Sequence, residues 1–254
     1  MNSKLVYYSA LSLMIVWMLV GVFPLICYES DSMHVIAGCN TIANQGFITP
    51  PLYSYQYDMQ PLITYVVASQ RILLPLLTCE QWYCLDSAFA AILFLFGSLK
   101  LAQKISHAPR GLVLLAAFLI PETVAIGMYP NTTVFAAVFF VWGLLFIEKR
   151  KILAVVFLCI APLFRVDVVI VYPVLLFIYL KLGLKLKDAL KKSIIDAVIV
   201  LIVLILGFYA LGANPFNSLS TYNTWNETGE YASKVLFSAF SFLTLINIIL
   251  LPLG

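Results

Sequence analysis

Long apolar runs dominate this chain and limit what it can fold into. An α-helix needs roughly 20 apolar residues to cross about 30 Å of hydrocarbon. We predict membrane spans near residues 5–27, 85–103, 112–130, 133–147, 193–212 and 235–253. Two shorter runs, 152–164 and 168–183, flank Arg165 and Asp167. Since 63% of the residues are hydrophobic and only 11% are charged, the composition predicts an integral membrane protein.

The basic residues indicate how these runs are threaded. Twelve of the 15 Lys and Arg can all lie on the cytoplasmic side: Lys4, Lys100, Lys104, Arg110, Lys149, Arg150, Lys151, Lys181, Lys185, Lys187, Lys191 and Lys192. Because basic loops stay inside, this pattern predicts a cytoplasmic N-terminus. It also makes 152–183 a hairpin and places 61–77 along the outer surface. The expected fold is therefore an all-α polytopic membrane protein with about eight transmembrane helices.

A second threading remains open. If the N-terminus were outside and 61–77 crossed the bilayer, only Lys4 would be misplaced among the basic residues. The loop 28–59 would then face the cytoplasm. That loop contains no Lys or Arg, which favours the outside for it.

The first extracytoplasmic loop carries signals for two helices. Asp31 or Ser32 is placed to cap a helix starting at Met33, and Gly46 is placed to end it. Pro61 stands where a second helix accepts proline in its first turn. We therefore expect two interfacial helices in this loop.

The same loop resembles the first outer loop of GT-C superfamily glycosyltransferases, which include the protein O-mannosyltransferases and the lipid A aminoarabinose transferases. Those families show Asp-Glu after the first span and later a Lys-Pro-Pro-Leu or His-Pro-Pro-Leu run. This chain has Asp31-Ser32 and Gln60-Pro61-Leu62 at the corresponding places. The second acid, the first proline and the basic residue of the family pattern are absent.

The resemblance implies transfer of a sugar from a polyprenyl phosphate, of dolichyl or undecaprenyl type, to an acceptor hydroxyl on a glycan, lipid or protein. Asp31 is the expected catalytic base, with Glu29 as the substitute. General base help is typically worth about 10² to 10⁴ in rate. The alternative is that Asp31 only caps a helix, which is worth about 1 kcal/mol.

Five further residues are candidates for donor or substrate binding. Arg165 is suited to the donor phosphate, although Arg165 and Asp167 could instead only pair with each other. Asp58 is either an acceptor contact or a solvated loop residue, and Gln60 belongs to the Gln-Pro-Leu run. Glu122 lies in an apolar run. It either lines the same cavity as Arg165 or is a hydrogen-bonded packing residue.

The sequence predicts no metal and no cofactor. His34 has no partner histidine at ligand spacing, and His107 falls on the predicted cytoplasmic side. No nucleic-acid patch is present, and the basic loops are explained by orientation and anionic lipid.

In the favoured threading, three of the five cysteines lie on the extracytoplasmic side of the membrane: Cys39, Cys79 and Cys84. A bridge between Cys39 and Cys79, or between Cys79 and Cys84, is permitted in an oxidising compartment. The sequence does not decide between them.

The expected organisation is one transmembrane domain, 1–254, with the candidate active site in loop 28–84. The expected location is the cell membrane of a prokaryote or the endoplasmic reticulum of a eukaryote. Two other functions remain open, a transporter or lipid flippase and a non-catalytic glycosyltransferase-like subunit. The families it resembles usually continue beyond such a point, so both a missing C-terminal part and a minimal version are open.

Overall fold

The computed structural model describes residues 7–9, 11–12, 15–16, 30–46, 61–106 and 132–214. The ordered elements in these ranges are helices, and no β-strand occurs among them. The elements are α1 (Ser30–Gln45), α2 (Pro61–Leu73), α3 (Cys79–Ser106), α4 (Thr133–Phe146), α5 (Lys151–Phe164), a 3₁₀ helix (Val166–Val171), α6 (Val174–Lys181) and α7 (Leu186–Ala210).

Two of these helices are long and apolar enough to cross a membrane, judged by length and composition. They are α3, over Cys79–Leu101, and α7. Helices α4 and α5 are apolar but have 14 residues each, which gives about 21 Å of helix, less than the bilayer core. The expected all-α class is confirmed for the described ranges, where two of the eight predicted spans have full length.

Helices α3 and α4 run in the same direction, and α5 returns beside them. The rings of Tyr83 and Phe135, near the starts of α3 and α4, lie 6.1 Å apart. At the other ends, Lys104 Nζ lies 2.7 Å from a Glu148 carboxylate oxygen. We name the two ends of the bundle the Arg165 end and the Lys104 end. A parallel α3 and α4 is what the predicted crossing by 112–130 requires, and that crossing lies outside the described residues.

The α4–α5 contact is close because of a glycine. A Cβ atom at Gly143 would lie 2.8 Å from Leu158 Cγ and 3.4 Å from the Ala154 carbonyl oxygen. Real Cβ atoms do not approach a neighbour so closely, so the missing side chain is what lets the two helices meet.

The helices of the first predicted outer loop form largely as expected. Gly46 follows α1 with a φ of +89°, and α2 begins at Pro61. The start of α1 corrects the prediction, because the helix begins at Ser30 rather than Met33. Asp31 and Ser32 therefore lie inside the first turn and not at the cap. The Ser32 hydroxyl, one of the two predicted caps, is buried and donates to Tyr83 on α3, a contact that sequence patterns do not reveal.

The predicted second leg of the hairpin, 168–183, is not one helix. It consists of the end of the 3₁₀ helix, a turn at Tyr172 and Pro173, and α6. Proline lacks the N–H that a helix interior needs, so Pro173 stands just before α6 and not within it. The Tyr172 hydroxyl donates to the Leu158 carbonyl oxygen, which fixes this break against α5.

Helix α7 exposes apolar side chains along its length. Only 22% of its apolar stretch is buried against the other helices, compared with 44% for α3. Leu190, Ile194, Val198 and Leu206 are among the exposed residues. An apolar surface of this extent is typical of contact with a membrane or a partner.

Candidate functional site

Arg165 lies at the break between α5 and the 3₁₀ helix. Its backbone is extended, with φ −158° and ψ 113°, which ends α5 after Phe164. The side chain is half-buried. The placement agrees with the predicted hairpin, in which a charged tip follows a helical leg of about 20 Å.

The Arg165 guanidinium is held by a residue that lies just before α4, outside the predicted hairpin. Its Nη1 donates to the Thr132 hydroxyl oxygen at 3.2 Å. Thr132 is fully buried just before α4. The hydroxyl therefore fixes part of the guanidinium at the start of α4.

Asp167 lies two residues beyond Arg165, on the 3₁₀ helix. Its side chain is outside the described part of the structure, so the alternative of a self-satisfied Arg165–Asp167 pair stays a prediction.

Helix α1 is fixed to the start of α3 by two links. Cys39 and Cys79 form a disulfide, with their Cα atoms 6.1 Å apart. The Ser32 hydroxyl donates to the Tyr83 hydroxyl oxygen at 3.3 Å, in a buried position. Asp31 directly precedes Ser32 on α1, and its side chain is outside the described residues.

A row of aromatic rings connects α1 to Arg165. Tyr83, which accepts from Ser32, lies beside Phe135, and Phe135 stacks on Phe164 with ring centroids 5.7 Å apart. Phe164 immediately precedes Arg165. The helix turn that carries Asp31 and the break that carries Arg165 therefore belong to one end of the bundle.

The other predicted site residues are Glu29, Asp58, Gln60 and Glu122. All four lie outside the described ranges, so their roles stay predictions. Of the predicted set, the structure places the backbones of Asp31, Arg165 and Asp167 at the same end of the bundle.

This arrangement is chemically suited to an anionic group. A guanidinium presents several N–H donors in a rigid plane and forms bidentate contacts with phosphate oxygens. Thr132 sets the orientation of that plane from a buried position. No group of three His, Cys, Asp or Glu that could hold a metal occurs in the described ranges.

One polar pair was missed by sequence reasoning. Gln70 Nε2 on α2 donates to Asp86 Oδ1 on α3 at 3.0 Å. The remaining oxygens, Gln70 Oε1 and Asp86 Oδ2, are buried without a hydrogen-bond partner. A buried acceptor left unsatisfied costs about 1–3 kcal/mol. Asp86 could have been recognised from the sequence, because it is an acidic residue inside the predicted span 85–103, where an ionisable side chain needs a partner.

A second missed cluster lies toward the Lys104 end. The Tyr179 hydroxyl on α6 donates to Asp196 Oδ2 on α7. Lys192 Nζ lies 3.4 Å from the same oxygen and 4.7 Å from the centre of the Tyr179 ring. Asp196 is only 4% exposed, and its bonds to Tyr179 and Lys192 join α6 to α7.

Comparison with protein-family models, with curated proteins and with solved structures finds no match to this chain.

Proposed function

We propose that the chain is a multi-pass membrane glycosyltransferase with a cytoplasmic N-terminus. It moves a sugar from a polyprenyl phosphate to an acceptor hydroxyl at the extracytoplasmic face. In this proposal Asp31 is the general base and Arg165 binds the donor phosphate. The observation that carries the proposal is the row of contacts from Ser32 through Tyr83, Phe135 and Phe164 to Arg165.

The distribution of charge supports the proposed orientation. Lys104 contacts Glu148. Lys149 and Arg150 follow between α4 and α5, and Lys151 is the first residue of α5. Helix α7 starts at the Lys104 end as well. Phe208, near the C-terminus of α7, packs with Leu163, which lies two residues before Arg165 at the opposite end of the bundle. The Lys104 end thus collects basic residues, as a cytoplasmic face does, which leaves the Arg165 end for the outer face.

The proposed reaction uses few groups. The acceptor hydroxyl gives its proton to Asp31 as its oxygen bonds to the anomeric carbon of the donor sugar. The bond from that carbon to the phosphate oxygen breaks, and polyprenyl phosphate leaves with the electron pair. Arg165 stabilises the negative charge on that phosphate, an interaction that is strongest where water is excluded.

The disulfide supports the proposed compartment. Cys39–Cys79 lies at the Arg165 end, and disulfides persist in the periplasm, the lumen of the endoplasmic reticulum or outside the cell. An active site at this end would face the same oxidising side. Donor lipids whose sugars face that side are the substrate class that the proposal requires.

The test is sugar transfer by the purified full chain in liposomes, with a panel of polyprenyl-phosphate sugars and acceptor lipids or peptides. Asp31→Asn should lower transfer about 10² to 10⁴-fold without changing the melting temperature. Asp188→Asn, a change of the same charge on the exposed start of α7, is the matched control and should retain transfer.

Other outcomes separate the alternatives. If the wild type transfers sugar and Asp31→Asn transfers equally well, the base lies elsewhere and Glu29→Gln is tested next. If no donor is used, the glycosyltransferase proposal fails. Movement of lipid or solute across the same liposomes would then indicate a flippase or transporter, and its absence would indicate a non-catalytic subunit.

A further inference from the structure

The joint between α2 and α3 contains two complementary unsatisfied atoms. Gln70 Nε2 donates to Asp86 Oδ1 at 3.0 Å. The atoms left without a partner are the other oxygen of the same carboxyl group, Asp86 Oδ2, and the oxygen of the same amide, Gln70 Oε1. Each partner of one hydrogen bond therefore contributes one buried acceptor.

A single proton can satisfy both atoms. A carboxyl and a primary amide each hold two polar atoms side by side. In a coplanar pair, in which Nε2 faces one carboxyl oxygen, Oε1 faces the other. An ionised carboxylate has no hydrogen to place between two acceptors. A neutral carboxylic acid has one, and its O–H can donate to the amide oxygen and close a ring of two hydrogen bonds.

We propose that Asp86 is a buried proton-binding site and forms a cyclic acid–amide pair with Gln70. The ligand of this site is a proton held between Asp86 Oδ2 and Gln70 Oε1. The pair joins α2 to α3 without a net charge, and a hydrogen-bonded neutral pair is far less costly to bury than an isolated carboxylate.

Either orientation of the Gln70 amide leads to the same acid–amide pair. Turning the Gln70 amide over exchanges the two carboxyl oxygens in the scheme. One N–H then still faces one oxygen, and one proton is still needed between the other two.

The charges on the neighbouring helices do not supply a counterion. The charged or titratable side chains on the described faces of α1, α2 and α3 nearby are His34, Tyr65, Arg71, Glu80, Tyr83 and Cys84, which is outside the disulfide. Helix α5, which also packs on α2, carries Lys151 and Cys159 and ends at Arg165, whose guanidinium donates to Thr132. Arg71 Nη1 donates to the carbonyl oxygens of Pro75 and Leu77. Helix α4, which packs on α3, has no charged residue. Within the described residues, the Gln70 amide is the polar group that acts on Asp86.

Infrared difference spectroscopy of the purified full chain tests the proton directly. The spectrum of wild type minus that of Asp86→Asn should show the carbonyl band of a protonated acid at neutral pH. This band should shift on exchange into D₂O. Carboxylate bands in its place would overturn the proposal. Asp188→Asn is the matched control, because Asp188 is exposed and its difference spectrum should show carboxylate bands.

Stability gives a second readout. Asparagine mimics the neutral acid, since its N–H can donate to Gln70 Oε1, so Asp86→Asn should fold with an unchanged melting temperature. Asp86→Leu and Gln70→Leu each leave a buried partner unsatisfied and should melt lower. An Asp86→Asn chain that fails to fold, or melts as low as Asp86→Leu, would show that the negative charge is required and would contradict the inference.

Discussion

Cys39 and Cys79 are joined by a disulfide that ties the second half of α1 to the first residue of α3, across 40 residues of sequence. The alternative pairing of Cys79 with Cys84 is excluded by helix geometry. Both residues lie on α3, and five residues of helix rise about 7.5 Å, beyond the reach of a disulfide. The bond therefore links the two segments that position Ser32 against Tyr83.

Removing this disulfide should destabilise the protein. Closing a loop of this length is worth about 4 kcal/mol in the chain-entropy model, so Cys39→Ser should lower the melting temperature in detergent clearly. Thiol labelling after denaturation without reductant should count one thiol more than in the wild type, because Cys79 is released.

Cys159→Ala is the control for that count. Cys159 is a buried cysteine outside the disulfide, so its removal should lower the thiol count by one. A Cys39→Ser chain with an unchanged thiol count, or one fewer, would contradict the Cys39–Cys79 pairing.

The close approach of α4 and α5 predicts different effects for two glycines. Gly143→Ala should destabilise the protein, because the new Cβ would meet Leu158 at its Cγ, 2.8 Å away, and Leu158 is 1% exposed. Overpacking of this kind costs about 1–3 kcal/mol, against a helix-propensity gain of about 1 kcal/mol. Thermal unfolding of the purified variant measures the net effect.

Gly207→Ala is the matched control for Gly143→Ala. At Gly207 the nearest atoms are the terminal methyl groups of Leu163, which can move by a rotamer change. Little or no loss of stability is expected there. If Gly143→Ala is tolerated as well as Gly207→Ala, the α4–α5 contact is looser than described.

Several helix boundaries follow from local chemistry and were predictable. The basic residues Lys149 to Lys151 separate the apolar runs that become α4 and α5. Gly46 ends α1 because it adopts a positive φ that other residues avoid. Pro61 begins α2 because a proline in the first turn loses no helical hydrogen bond.

The pairings between helices were not predictable from the same patterns. Thr132 with Arg165, and Gln70 with Asp86, are contacts between separate elements. Periodicity shows which side of a helix is apolar but not which helix it will meet. Asp86 and Asp196 did carry a local signal, since each is an acid in an apolar run, and that signal marks positions that need a partner.

The Lys104–Glu148 pair predicts a small pH dependence of stability. The hydrogen bond and positive charge of Lys104 lower the pKa of Glu148 below its ordinary value of 4.5. A group whose pKa is lower in the folded state stabilises the protein fully above its unfolded pKa, and loses that effect as pH falls through the folded pKa. The difference in melting temperature between wild type and Glu148→Gln should therefore become smaller as the pH falls below about 4.5.

Salt provides the control for the Lys104–Glu148 pair. The two side chains are 34% and 46% exposed, so their interaction is weak and should be screened at high ionic strength. A difference between wild type and Glu148→Gln that is constant with both pH and salt would show that Glu148 acts through packing and not through its charge.

Arg165 and Thr132 predict how the proposed donor phosphate is bound. Arg165→Lys replaces a planar fork by a point charge, so the KM for the polyprenyl-phosphate sugar should rise. Since hydrogen bonds to charged groups are worth about 1.5–3 kcal/mol, Arg165→Ala should weaken binding roughly 10- to 100-fold. Calorimetric titration with polyprenyl phosphate alone measures this without turnover.

Thr132 tests whether positioning of the guanidinium matters apart from its charge. Thr132→Val removes the hydroxyl that accepts from Arg165 at 3.2 Å but keeps the volume, so it should weaken phosphate binding by less than Arg165→Ala does. Thr132→Ser keeps the hydroxyl and should restore binding. If Val and Ser variants with equal melting temperatures bind alike, the hydroxyl does not orient Arg165 for a ligand, and the bond between them only joins the start of α4 to the end of α5.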